Sequence, residues 1–298
     1  VPSNPTHHHQ QQQQQQPICT TPLIAKPKSQ SSPLHSHPLH TPTKTNISSE
    51  MKEMIICLEI MGVDSRKALS LNPSLHSASL ASIHSIICFL QSKGIHEKDL
   101  RRILGMCPSV LTSDIKTDLN PVFGFLSKDL QVPETHFRRV INKCPRLLVS
   151  SVKDQLKPCL FFLKRLGFRD MAALAYQDPI LLVSNVEKTL IPKLKYLESI
   201  GFSKDEAVGM VLRCTTLFTF SVENNFKPKL QYYLEEMKGT MKELKDFPQY
   251  FTFSLDKRIR PRHREAVERC VDLPLSTMLK ATDDKFRELV GRTSGADK

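Results

Sequence analysis

The sequence predicts an all-α protein whose main part is a curved helical-repeat solenoid of about six units, each running helix, helix, short helix. Three observations lead there. A short phrase recurs, as NPSLHSAS around Pro73, CPSVLTSDI at Pro108, CPRLLVSSV at Pro145 and DPILLVSNV at Pro179. Degenerate copies follow at Thr215 and Pro248, so the spacings are 35, 37, 34, 36 and 33 residues. A second proline stands 13 residues after the first column, as Pro121, Pro158, Pro192, Pro228 and Pro261, while in the first unit Ser85 takes its place, 12 residues after Pro73. Apolar residues recur two before, two after and five after this second column, which is the i, i+4, i+7 spacing of one helical stripe.

The elements follow in order. Residues 1–49 contain no Asp or Glu, but eight prolines, thirteen Ser or Thr, six histidines and a glutamine run at 10–16. Such a stretch buries too little apolar area to offset its chain entropy, so it is expected to be a disordered leader. Its acid-free, hydroxyl-rich composition is that of an organelle transit peptide. The basic residues are Lys26, Lys28 and Lys44 with no arginine, which points to the chloroplast, with the mitochondrion as the alternative. His7, His8 and His9 are read as low-complexity filler and not as a metal site.

Residues 50–270 carry the repeats, and 271–298 are expected to form a carboxyl-terminal cap and tail. Within each unit the second proline is expected in the first turn of the long helix, where its missing N–H costs little. The residues two before it, Ile83, Leu119, Leu156, Leu190, Phe226 and Ile259, face the core. So do Phe123, Leu160, Leu194 and Leu230 two after it, with His263 and Ala266 weakening the last stripe. Gly94, Gly167 and Gly201 suit a left-handed position closing the long helix. Units two and five lack that glycine. Ser203 and Glu206 have capping-box spacing at the start of the next helix.

Composition narrows the partners. Lys and Arg total 42 against 30 acids, a net charge of +12, which favours a polyanion. No apolar run approaches the roughly 18–20 residues of a membrane span, so no membrane partner is expected. Eight cysteines without a C-x-x-C pair fit neither a zinc ribbon nor a disulfide framework. Cys107, Cys144 and Cys214 share one repeat column and are read as small packing residues. No phosphate loop, nucleophile elbow or zincin motif appears, so neither a cofactor nor an enzymatic activity is expected.

The phrases CPRLLVSSV-x3-LKPCLFFLKRLGF and DPILLVSNV-x3-LIPKLKYLESIGF closely resemble the motif of the mitochondrial transcription termination factor (mTERF) family, in its plant organelle form. The resemblance covers residues 50–270 and is cleanest over 145–202. It implies a solenoid whose basic inner surface binds nucleic acid, often duplex DNA, and a role in organelle transcription termination or initiation, or in RNA maturation. A monomer working with the organelle transcription machinery is the expected form.

If nucleic acid lies along the array, basic residues should recur at equivalent positions. Beside the second proline they do: Lys157, Lys193, Lys195, Lys227, Lys229, Arg260, Arg262 and Arg264. A second set is Arg101 and Arg102, repeated 37 residues later as Arg138 and Arg139. The same columns would also suit a solvated helix face. The aromatic residues fall mostly at packing positions, so no exposed stacking platform for single strands is expected. The alternatives are an RNA-binding factor and a protein-binding scaffold like tetratricopeptide arrays, whose Trp-containing pattern is missing from this Trp-free chain.

Overall fold

The computed structural model describes residues 48–292. Residues 1–47 of the leader, with its histidine and glutamine tracts, lie outside them, whereas Ser48 and Ser49 belong to the start of the first helix. Among the described residues every regular element is helical.

Helix α1 (Ser49–Ile60) precedes the first unit, begun by Ser48, whose hydroxyl accepts from the Met51 N–H. The first helices of the six units are α2 (Ser65–Leu71), α4 (Glu97–Met106), α6 (Phe137–Lys143), α8 (Met171–Gln177), α10 (Lys204–Arg213) and α12 (Met241–Asp246). Each ends at a 3-10 turn that starts on the first-column residue: Pro73, Pro108, Pro145, Pro179, Thr215 or Pro248. The long helices then follow: α3 (Leu80–Ser92), α5 (Asn120–Gly124), α7 (Lys157–Leu166), α9 (Ile191–Ser199), α11 (Lys227–Glu235) and α13 (Arg260–Glu268). Two further helices, α14 (Leu275–Lys280) and α15 (Asp283–Arg292), complete the array.

The second proline stands in the first turn of its helix, as expected from sequence, but a turn that the sequence reading did not foresee comes before it. In units two to six a wide turn of five residues precedes it, closed by i→i−5 bonds. These run from the N–H of Leu119, Leu156, Leu190, Phe226 and Ile259 to the carbonyls of Asp114, Ser151, Asn185, Ser221 and Ser254, at 3.0–3.2 Å. The physical reason is the proline ring, which clashes with the carbonyl four residues back in a regular α-helix. One extra residue in the turn moves that carbonyl aside. Each wide turn is itself capped by the same Asp, Ser or Asn, whose side chain accepts backbone N–H bonds from the turn. Sequence reasoning passed over this column, although a small polar residue before Val, Ile or Leu in each unit marks it.

The predicted core columns are correct. All six residues two before the second proline are fully buried, and the stacked units share one continuous core that reaches Leu275, Met278, Leu279, Phe286 and Val290 of α14 and α15. First helices pack on first helices (α2 on α4, α6 on α8, α10 on α12), and 3-10 turns on the turns of the next unit. Neighbour stacking of this kind is how a solenoid buries stripes that no unit can bury alone. The Ser203–Glu206 capping box is formed in both directions.

Gly94, Gly167 and Gly201 adopt φ of +80°, +107° and +109°, as expected. Units two and five, and unit six as well, make the same left-handed turn with ordinary residues, at Gln131, Lys238 and Cys270 (φ +58°, +52° and +54°). A side chain there costs on the order of 1–2 kcal/mol. Lys238→Gly is therefore expected to stabilise the protein by about 1 kcal/mol, read as a higher urea midpoint. A lower midpoint would show that the lysine has a packing role.

Candidate nucleic-acid interface

The basic residues beside the second proline divide by position. Those one residue after it turn inward. Lys229 is 6% exposed and Arg262 5%. The Lys229 Nζ donates to the carbonyl of Phe251 at 2.6 Å and lies 5.4 Å from the Phe220 ring. Arg262 donates to the carbonyls of Met278 (2.6 Å) and Ala281 (2.8 Å) and pairs with Asp283. Lys193, half-buried, donates from Nζ to the carbonyl of Phe218. In unit three the equivalent residue is Cys159, whose thiol donates to the carbonyl of Leu181 at 3.0 Å.

In units three to five this position thus acts as a clasp: one donor from a long helix reaches a carbonyl of the next unit's 3-10 turn. Arg262 does the same to the carboxyl-terminal helix α14. Burial pushes the Lys229 ammonium down to about 8 and lowers that of Lys193. Lys193, Lys229 and Arg262 therefore do not stand on the open surface with the rest of the ladder. The sequence held a signal for this. A residue one after the proline is three beyond the buried −2 column and four before the buried +5 column, so it flanks the core stripe.

The other ladder residues face outward. Lys157, Lys195, Lys227 and Arg264 are exposed and Arg260 is half-buried. They occupy the positions one before and three after the proline, which are i and i+4 on a single helical face. Two carry an acid on the preceding turn: Lys227 pairs with Glu223 at 2.7 Å, and Arg260 pairs with Asp256 while lying over the Tyr232 ring at 5.3 Å. Lys157 has Asp129 at 4.0 Å. Exposed pairs of this sort are worth about 0–1 kcal/mol, so they exchange readily for a phosphate.

The arginine pairs are exposed but mostly engaged. Arg102 donates to the carbonyl of Asn142. Arg138 binds Asp99 at 2.6 Å and holds that carboxyl below the usual range. Arg139 lies 5.4 Å from the Tyr176 ring. A second row of clasps, unforeseen from sequence, joins the carboxyl ends of first helices. Lys143 donates to the carbonyls of Tyr176 (2.9 Å) and Gln177 (2.6 Å), and Arg213 to that of Lys245 (2.5 Å). A cation at a helix carboxyl end also meets the favourable end of the macrodipole. Among the described residues no buried side-chain nitrogen or oxygen lacks a partner.

The aromatics are expected mostly at packing positions, and one stands apart from them. Phe161 on α7 is 63% exposed, whereas its neighbour Phe162 packs against the core. Cys107, Cys144 and Cys214 are buried, and burial raises their thiol pKa values, as suits packing residues. Among the described residues no group of three His, Cys, Asp or Glu is placed to hold a metal ion, and no helix is long and apolar enough to cross a membrane.

A family model described as mTERF matches residues 23–187 and 170–287. Similar curated proteins include transcription termination factor MTERF4, chloroplastic, of Arabidopsis thaliana, 30% identical over 86 residues, which is 29% of this chain and 16% of that protein. MTERF2, chloroplastic, of the same plant is 36% identical over 81 residues (27% of this chain, 12% of that protein). MTERF5, chloroplastic, also of that plant, is 36% identical over 86 residues (29% and 17%). The aligned stretches thus span less than a fifth of each relative's length.

Proposed function

The chain belongs to the mTERF family, and from that premise we propose that it is a nucleic-acid-binding regulator of chloroplast gene expression, with duplex DNA as its main partner. Its chloroplastic relatives, named transcription termination factors, support the compartment and the process. The observation that carries the binding role is the outward column of Lys157, Lys195, Lys227, Arg260 and Arg264, one or two cations per unit from unit three to unit six. Stacked units present such a column at intervals along the array, and Lys or Arg at intervals can follow a phosphate backbone without reading sequence. The inward residues support a division of labour: Lys193, Lys229 and Arg262 hold units together while the outward ones meet the ligand. The seat of Arg262 on α14 also supports reading α14 and α15 as the cap expected after residue 270.

The test is salt-dependent binding to a mixed-sequence 30-base-pair duplex. Each phosphate contact contributes about 0.9 to the slope of log affinity against log salt. Replacing the five outward cations by alanine is expected to flatten that slope by roughly 4.5. Replacing Lys193 and Lys229 together is expected to lower stability and leave the slope alone. An unchanged slope in the five-fold variant would move the interface off this face.

A further inference from the structure

The face that carries the outward cations also carries Phe161, three residues after Pro158 and in register with Lys195 and Arg264. Its ring is 63% exposed in the middle of α7, and the helix does not need it there. The core side of α7 is filled by Cys159, Leu160 and Leu163, and Phe161 makes no ring–ring contact among the described residues. Its companions are cationic. Lys157 and Arg165 stand one turn before and after it, and Lys164 lies on the same side; all three are exposed. The Arg165 guanidinium is 5.8 Å from the ring centroid. No acid occurs from residue 155 to residue 169, and Lys164 and Arg165 form no ion pair among the described residues.

We infer that Phe161 is a stacking platform for an unpaired base, and that Lys157, Lys164 and Arg165 hold the backbone of a single strand across α7. The inference rests on the nucleic-acid reading above and adds a partner to it: a strand whose bases are free. A duplex that stays paired and stacked offers a protein face base edges and phosphates, and a flat exposed ring finds a partner there only where a base is unstacked or turned out. An unpaired base provides one, because every base has a π-face and stacking tolerates any sequence. The flanking guanidinium can continue the stack through cation–π contact. An acidic peptide would satisfy the three cations but leaves the ring without a matched surface.

The chain contains no tryptophan, so Phe161→Trp places a single indole at the site as a direct reporter. Full-length wild type, Phe161→Ala and Phe161→Trp are titrated with a mixed-sequence single-stranded RNA, the same single strand as DNA, and the matching DNA duplex. Phe161→Ala is expected to weaken both single strands about tenfold or more while leaving the salt slope intact, since no charge is removed. Duplex affinity should stay within about twofold. Phe161→Trp should keep single-strand affinity, and its emission should be quenched by the single strands and not by the duplex. Equal single-strand affinity for wild type and Phe161→Ala overturns the inference, as does an indole that no strand perturbs or a loss as large on the duplex. If wild type binds duplex with the expected salt slope and only the Phe161 variants stay silent, the inference alone falls. If wild type binds no nucleic acid, the proposed function falls with it.

Discussion

Arg262→Ala is expected to cost about 2–4 kcal/mol of stability and to loosen α14 and α15, with little change in affinity for duplex DNA. The side chain is buried, and its guanidinium is the partner of the Met278 carbonyl. Truncation leaves that carbonyl unsatisfied in the interior, at about 1–3 kcal/mol. It also removes a cation 4.7 Å from the Phe286 ring, a contact worth about 0.5–2 kcal/mol. The pair with Asp283 adds little, because that carboxylate is 77% exposed. The Ala281 carbonyl keeps a partner in Arg258, which limits the loss. Hydrogen exchange resolves the outcome, with protection lost first across residues 275–292. If Arg262 were a phosphate contact, the same variant would keep its stability and reduce the salt slope by about one.

Phe226→Ala should be at least as damaging, at about 3–5 kcal/mol. The ring is fully buried between Tyr196 of unit four and Phe251 of unit six, at centroid distances of 5.7 and 4.9 Å. It therefore fills space at two joints at once. Stability in a stacked array is a sum of unit and neighbour terms, so weakening two joints together should uncouple units five and six from the rest. The expected result is a urea transition that splits, the carboxyl-terminal units melting first. Phe226→Leu should recover most of the loss, because leucine holds this column in units two, three and four. A single transition with a loss below about 1 kcal/mol would show that the two joints do not depend on this ring.

What the sequence revealed was whatever repeats. The −2 column could be read because each unit buries the same face against the same kind of neighbour, so six residues report one environment. The punctuating prolines revealed where helices change, but not the wide turn before Pro121, Pro158, Pro192, Pro228 and Pro261, since a first-turn proline has the same spacing with or without it. The basic ladder was legible as a set and not as two sets. Lys193 and Lys229 find their acceptors 25 and 22 residues away, on carbonyls that carry no sequence signature. Phe161 and Phe162 look alike as neighbours, and only the helix phase sends one inward and the other to solvent.

The clasps have a polarity. Donors sit on the amino-terminal member of each joint and acceptors on the member that follows, from Cys159 through Lys193 and Lys229 to Arg262. Trimming the array therefore should not be symmetrical. Removing leading units takes away hooks and leaves backbone oxygens that water can satisfy. Removing trailing units takes away the eyes into which those hooks fit, and leaves a charged side chain against apolar neighbours. Shortened forms that keep their carboxyl end should accordingly outlast forms of equal length that keep only their beginning.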